Sequence, residues 1–256
     1  MIPIRDDNPQ VSVPWATYGL ISCNAAAWIF LQGAGFGESF EPSICEYGLI
    51  PANILGDVGS VGKGTCEGFT DYGLLNVLTS MFMHGGWMHI LGNMLFLWIF
   101  GGNVEDAMGP VRFVIFYILC GVAAAAAQVL SGPSSSIPMV GASGAIGGVM
   151  GGYLMIYPRV KVHILVPIFI IFWTFRVPAW AMLGYWIGLQ LFEGMISLNS
   201  TGGGVAFWAH VGGFVAGALA VFVLKDDELL FDHPYHGWTD SEDPASIWDD
   251  PNNRQN

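Results

Sequence analysis

The sequence predicts an all-α polytopic membrane protein, and two observations support this fold class. Hydrophobic residues make up 53% of the 256 positions and charged residues only 11%, whereas soluble domains carry about 25% charged residues. The apolar residues also gather into six runs of about 20 residues, the length of helix that crosses a bilayer. The predicted spans are residues 15–35, 77–101, 111–130, 140–157, 178–198 and 205–224.

A seventh apolar run, residues 162–175, is shorter than a membrane crossing requires. It is followed by Arg176 and Pro178, and proline interrupts a helix because it lacks a backbone N–H donor. We therefore predict an interfacial or re-entrant segment here rather than a further span.

Basic residues indicate the orientation of the spans, because lysine and arginine accumulate on the cytoplasmic side. Six crossings from a cytoplasmic N-terminus leave seven of the eight basic residues inside and only Lys63 outside. The inner set is Arg5, Arg112, Arg159, Lys161, Arg176, Lys225 and Arg254. This predicts a cytoplasmic N-terminus (1–14), a membrane domain (15–224) with an extracytoplasmic loop (36–76), and a cytoplasmic tail (225–256).

The formal net charge of −12 comes mainly from the tail and the outer loop. The tail is acidic and contains proline, so it is expected to be largely disordered. The sequence has no basic patch, which argues against nucleic acid as a partner. The acidic tail and the short polar N-terminus favour a prokaryotic plasma membrane as the location.

The outer loop contains two cysteines, Cys45 and Cys66. Outside the cytoplasm such a pair is able to form a disulfide, but two unpaired thiols fit the sequence equally well. Cys23 and Cys120 lie within apolar spans and are expected to be small packing residues.

Four side chains inside the spans are functional candidates, because polar groups are costly in the membrane. They are His89 and Asn93 on the second span, Ser143 on the fourth and His210 on the sixth. These three spans run in the same direction, so all four side chains are expected at a similar depth near the outer face. His89 and Asn93 are four residues apart and share one helix face.

Small residues repeat every four positions on the fourth and sixth spans, which allows two helices to approach closely. They are Gly144, Gly148 and Gly152, and Ala209, Gly213 and Gly217. Close approach would bring Ser143 within hydrogen-bond reach of His210, and a histidine base activates a serine hydroxyl as a nucleophile. Gly141 and Ala142 keep the chain narrow just before this serine.

Acyl transfer also requires donors aimed at the developing oxyanion, and the Asn93 amide, the His89 ring and the Ser143 backbone N–H are candidates. Each of these residues alone has a simpler interpretation as a packing or interhelical hydrogen-bonding group. No carboxylate lies near either histidine in sequence, so a Ser–His dyad is expected. We expect no metal site, because His84 and His89 are five residues apart and no HExxH motif is present.

The segments that carry these residues resemble the rhomboid family of intramembrane serine proteases. The motifs are GASG with Ser143, AHVGG with His210, HGGWMHILGNM with His84, His89 and Asn93, and the following GGNVEDAMG. The similarity covers roughly residues 15–224. It implies a six-transmembrane-helix, rhomboid-like bundle with a membrane-associated loop between helices 1 and 2. It also implies transmembrane protein substrates, cleaved in the lipid bilayer within or beside their spanning segment, and no cofactor.

The resemblance implies a role for each candidate residue. Ser143 would be the nucleophile and His210 the general base and acid, while His89 and Asn93 would line the oxyanion hole. His84 would support that site, as would the small residues Gly141, Ala142 and Gly144.

The sequence departs from the family pattern at two places. Leu75 and Asn76 occupy the positions of a Trp-Arg pair found in many members, so the anchoring of the outer loop is expected to differ. Gly147 stands where many members place an aromatic residue against the catalytic histidine. The orientation of His210 is therefore expected to come from Trp208, Phe214 or a side chain of the second span.

Two other functions are compatible with a polytopic membrane protein. A catalytically silent membrane-protein binding module would be marked by loss of the serine or the histidine, and both are present. A transporter commonly has charged residues near the midplane or inverted repeats. Glu193 is the one candidate charge, and it lies towards the outer end of its span.

Overall fold

The computed structural model describes residues 2–55, 66–168, 171–198, 205–231 and 233–234. Over these residues the chain forms ten α-helices and a three-stranded sheet. In chain order the elements are β1 (Ile2–Asp6), α1 (Trp15–Ala26), α2 (Phe40–Tyr47), α3 (Pro51–Leu55), α4 (Asn76–Thr79), α5 (Trp87–Asp106), α6 (Pro110–Ser131), α7 (Ser143–Ile156), β2 (Lys161–Ile168), β3 (Ile171–Pro178), α8 (Ala179–Ser197), α9 (Phe207–Leu224) and α10 (Asp227–Phe231). A π-helical turn, Ala27–Leu31, continues α1. Among the described residues, α6 and α9 are long and apolar enough to cross a membrane by length and composition.

The second predicted span is interrupted rather than continuous. After α4 and a 3-10 turn that ends at Phe82, the helix resumes only at Trp87. The break contains Gly85 and Gly86, and Gly86 has a φ of +153°, which L side chains rarely adopt. The prediction of one span over residues 77–101 is therefore wrong at its beginning, and α5 continues instead to Asp106.

The fourth predicted span also begins later than expected, at Ser143 instead of residue 140. Gly141 adopts a φ of +126°, which is incompatible with a right-handed helix. The Gly141 backbone N–H donates to the Ser80 carbonyl at 2.8 Å. Ser143 consequently occupies the first position of α7 rather than a place inside a helix.

The helix α7 forms the centre of the bundle, because ten of its 14 residues are buried. It packs against α9 with glycine on both sides. A Cβ built on Gly213 would lie 1.9 Å from the Gly144 carbonyl oxygen, and one on Gly217 would lie 1.9 Å from the Gly148 carbonyl oxygen. The predicted close approach is therefore present, with the backbones in direct contact.

The expectation of an all-α fold is wrong for residues 2–6, 161–168 and 171–178, which form a sheet in the order β1-β2-β3. Both pairs are antiparallel, with Ile2 opposite Leu165 and Val162 opposite Val177. Val162 and Ile164 are buried while the intervening residue is not, the period of two typical of a strand. The predicted interfacial or re-entrant segment thus lies largely in two antiparallel strands, β2 and β3.

Two carboxylates at the C-terminal end of α5 hold the segment that leads into α1. Glu105 accepts the backbone N–H groups of Ala16 and Thr17 at 2.9 and 2.8 Å. Asp106 accepts those of Val11 and Ser12 at 2.8 and 3.0 Å. Since the first N–H groups of a helix have no partner within it, Glu105 caps α1 from another helix. This gives the GGNVEDAMG segment a structural role.

The outer loop is tied together by a disulfide between Cys45 and Cys66, the alternative that the sequence left open. It is tied to the bundle by Asn76, whose amide donates to the carbonyl oxygens of Gly48 at 2.8 Å and Glu46 at 3.1 Å. Asn76, one of the residues that depart from the family pattern, therefore anchors the loop.

The beginning of the tail is folded, contrary to the expectation of disorder from residue 225. The Asp226 backbone N–H donates to the Ala107 carbonyl at 2.8 Å, and its carboxylate pairs with Arg112 at 2.9 Å. These contacts attach α10 to the α5–α6 turn. Lys63, Arg254 and the predicted disorder of residues 235–256 lie outside the described residues.

Candidate active site

Ser143 and His210 form a direct hydrogen bond, with 2.8 Å between Ser143 Oγ and His210 Nε2. Ser143 begins α7, and His210 lies in the first turn of α9. The two helices meet just below these residues, where Gly144 and Gly213 allow backbone contact. The predicted pair is therefore brought together by the small-residue faces that were expected to do so.

The other ring nitrogen of His210 contacts Gln190 on α8, with 2.6 Å between Nδ1 and Oε1. Trp186, one turn earlier on α8, lies against the same ring with 5.6 Å between centroids. The expectation that Trp208 orients His210 is wrong, because its indole N–H donates instead to the Gly194 carbonyl at 3.2 Å. Phe214 packs on Trp186. Sequence reasoning missed Gln190, although an amide inside an apolar span was the signal that identified Asn93.

Gly147 leaves no gap beside His210. A Cβ at this position would lie 3.0 Å from the His210 carbonyl oxygen and 3.6 Å from the Phe214 nitrogen. The backbone of α9 therefore occupies the space that an aromatic side chain on α7 would need, and the aromatic contact to His210 comes from α8.

The His89 ring is oriented by the backbone that immediately precedes its own helix, α5. The Gly85 backbone N–H donates to His89 Nδ1 at 3.1 Å, so the proton of the neutral ring is on Nε2. A Cβ at Gly141 would lie 2.6 Å from His89 Nε2 and 3.5 Å from Ser143 Oγ. Gly141 thereby keeps open the space between the His89 Nε2–H donor and the Ser143 hydroxyl, the arrangement that an oxyanion site requires.

Asn93 lies one turn below His89 on α5 and is 7% exposed. Within the described residues, its side-chain Nδ2 has no hydrogen-bond partner. A buried amide donor without a partner is costly unless a ligand or water satisfies it. This donor is thus available to a group that enters the site.

His84 is fully buried beneath the site, and its ring meets the His89 ring edge to face at 5.2 Å. Gln32 holds the backbone of His84 from both sides: its Oε1 accepts the His84 N–H at 2.7 Å and its Nε2 donates to the His84 carbonyl at 2.9 Å. Gln32 is the second site residue that sequence reasoning missed, because nothing in its local sequence indicates a partner 52 positions away.

The small residues flanking the serine are tightly packed. Ala142 is fully buried, and its carbonyl accepts the first N–H of the α7 ladder, from Ile146 at 2.9 Å. A Cβ on Gly144 would lie 2.6 Å from the Ala124 Cβ. A cavity of about 20 Å³ adjoins Ser143, which is enough space for one water. Within the described parts of the chain, no group of three His, Cys, Asp or Glu residues has metal-site geometry.

Comparison with known proteins identifies the family of this arrangement. The family model of the Rhomboid domain matches residues 72–226. RHOMBOID-like protein 4 of Arabidopsis thaliana is 32% identical over 185 residues, which cover 71% of this chain and 39% of that protein. Rhomboid-like protease 5 of Toxoplasma gondii is 31% identical over 168 residues, 64% of this chain and 18% of that protein. Rhomboid protease GluP of Bacillus subtilis (strain 168) is 36% identical over 80 residues, 31% of this chain and 15% of that protein. The chain thus spans less than half the length of these relatives.

Proposed function

The chain belongs to the rhomboid family of helical integral membrane proteins, and on that premise we propose that it is an intramembrane serine endopeptidase. The observation that carries the proposal is the 2.8 Å hydrogen bond between Ser143 Oγ and His210 Nε2. The unpartnered donor of Asn93 and the oriented Nε2–H of His89 support it. Its substrates are transmembrane proteins, cleaved within or next to the membrane-spanning segment.

The proposed topology has six crossings, formed by α1, α5, α6, α7, α8 and α9, with both termini in the cytoplasm. Residues 36–76 then form an extracytoplasmic loop associated with the membrane. The 14 residues of α7 span about 21 Å, whereas the hydrocarbon core is about 30 Å thick. If α7 ends at the inner boundary, Ser143 lies roughly 9 Å below the outer boundary, within reach of a substrate helix.

The reaction follows from the hydrogen bonds of the site. His210 Nε2 removes the Ser143 proton as Oγ attacks the scissile carbonyl, and the proton then passes to the leaving amine. His89, Asn93 and the Ser143 backbone N–H donate to the oxyanion of the tetrahedral intermediate. Water, activated by His210 in the same way, hydrolyses the acyl-enzyme.

The substrate must reach Ser143 in an unwound conformation, because a helical carbonyl is already bonded to an N–H four residues later. Gly141, without a side chain, leaves room for an extended backbone to approach between His89 and Ser143. We therefore expect preferred substrates to contain residues that weaken a transmembrane helix, such as glycine or proline.

The host membrane is proposed from the sequence alone as a prokaryotic plasma membrane. The relatives described above come from a plant, a parasite and a bacterium, so they do not favour one host membrane over another.

The proposal is tested with purified protein reconstituted in liposomes that contain a fluorescent transmembrane substrate. Ser143→Ala and His210→Ala are expected to abolish cleavage, while Ser134→Ala, at an exposed loop serine, retains it. A fluorophosphonate should label wild-type protein at Ser143. Cleavage that survives Ser143→Ala would exclude this nucleophile, and absence of both labelling and cleavage would favour a catalytically silent binding module.

A further inference from the structure

Gln190 on α8 contacts the catalytic base directly, and this contact extends the expected dyad to a third residue. His210 places Nε2 at 2.8 Å from Ser143 Oγ and Nδ1 at 2.6 Å from Gln190 Oε1. A neutral imidazole carries one N–H, and an amide oxygen only accepts hydrogen bonds. The Nδ1 atom must therefore hold the proton, which leaves the Nε2 lone pair facing the serine hydroxyl.

On this basis, and resting on the proposed proteolytic function, we infer that Gln190 is a positioning residue that fixes the tautomer and orientation of His210. When His210 accepts the serine proton, both ring nitrogens become donors. The Gln190 oxygen is then already in place to accept from Nδ1. The same contact supports the neutral base before the reaction and the imidazolium during it.

Among the described residues, the part of α7 that faces His210 carries no side chain that could replace this contact. On α7, Gly147 has no side chain, and a Cβ there would already lie 3.0 Å from the His210 carbonyl oxygen. The ring contact comes instead from Trp186 of α8, at 5.6 Å. Both groups that orient the imidazole therefore belong to one helix.

The position of Gln190 on α8 is set by the way that helix packs on α9. Trp186, Gln190 and Gly194 recur every four residues and share one helix face. At the far end of this face, a Cβ on Gly194 would lie 3.4 Å from the Phe207 Cβ, and the Gly194 carbonyl accepts the Trp208 N–H. Gln190 is thus held at His210 by close contacts one turn away on either side.

The helix α8 lies at the edge of the bundle, since Ala179, Leu183 and Gly194 are the buried ones among its 19 residues. The hydrogen bond to His210 consequently links the catalytic base to a peripheral helix. A displacement of α8 would release the Nδ1 proton from its acceptor and impair the base without altering Ser143.

The test compares full-length variants in liposomes by kcat, KM and the rate of fluorophosphonate labelling. Gln190→Met keeps the length of the side chain but removes the acceptor, and Gln190→Glu keeps the acceptor. Leu191→Met, at a 40% exposed position on the same helix, is the matched control. We expect Gln190→Met to lower kcat and the labelling rate by about 10- to 100-fold. KM and the melting temperature should stay close to those of the wild type.

We expect Gln190→Glu to recover most of the lost rate, which a purely structural role of the side chain would not explain. Wild-type rates in Gln190→Met, or equal losses in the Met and Glu variants, would overturn the positioning role. Wild-type protein and Ser143→Ala are measured in parallel. If the wild type neither cleaves nor labels, the proposed function fails; if it does both and only the Gln190 expectation fails, the proposed function stands.

Discussion

If the proposed function holds, replacement of Gly213 by alanine is expected to inactivate the protein by separating the two helices that carry Ser143 and His210. The new Cβ would lie 1.9 Å from the Gly144 carbonyl oxygen, and real Cβ atoms essentially never approach closer than 3.0 Å. The contact is backbone on both sides, so α7 and α9 must separate by about 1 Å. This displacement adds to the 2.8 Å between Ser143 Oγ and His210 Nε2. The resulting distance between the two atoms exceeds the range of a hydrogen bond.

A misplacement of about 1 Å at a reacting pair costs roughly 100-fold in rate, and overpacking a core costs about 1–3 kcal/mol in unfolding free energy. The assay measures kcat/KM for a transmembrane substrate in liposomes, together with thermal unfolding. Gly188→Ala is the matched control, because a Cβ at that position of α8 meets nothing within 4 Å. Gly147→Ala, whose nearest contact would be 3.0 Å, should give an intermediate loss. Wild-type kcat/KM and melting temperature in Gly213→Ala would refute the close approach of α7 and α9.

Three further changes concern stability. Glu105→Gln removes the charge that caps α1 and should lower the free energy of unfolding by about 2 kcal/mol in thermal melts; an unchanged melt would contradict the capping role. Burial raises the pKa of the Asp6 carboxyl from 3.8 to about 7, although the hydrogen bond from Tyr153 lowers it. The unfolded chain loses this proton near the lower value and the folded protein near the higher one. The free energy of unfolding should therefore fall as pH rises between these values, by at most about 4 kcal/mol. Asp6→Asn should remove this slope in melts across that pH range, and an equal slope in both proteins would refute the assignment. Replacement of Cys45 and Cys66 by serine opens a loop with a sequence separation of 21 and should cost about 3 kcal/mol; a melt insensitive to the double substitution would show that the bridge contributes nothing.

The positions of Ser143, His89 and His210 were predictable because each lies within a short motif near the start of a helix. A common depth for the three residues is what the proposed order and direction of the spans predict. The approach of α7 to α9 was likewise predictable, since small residues every four positions form a smooth helix face. The same reasoning failed for the sheet, because an apolar run of strand length is compatible with either secondary structure until its partner is known.

The sequence by itself determined the helical membrane character of the chain and the residue types that meet at the Ser143–His210 site, because hydropathy and local spacing act over a few turns of one helix. The tertiary structure decided which groups surround that centre. Gln190 reaches His210 across 20 positions, and Gln32 reaches His84 across 52, only because separate parts of the chain pack in one particular register. Strand β1 pairs with β2 from more than 150 positions away. Such contacts depend on how whole elements fit together, which no local pattern along the chain records.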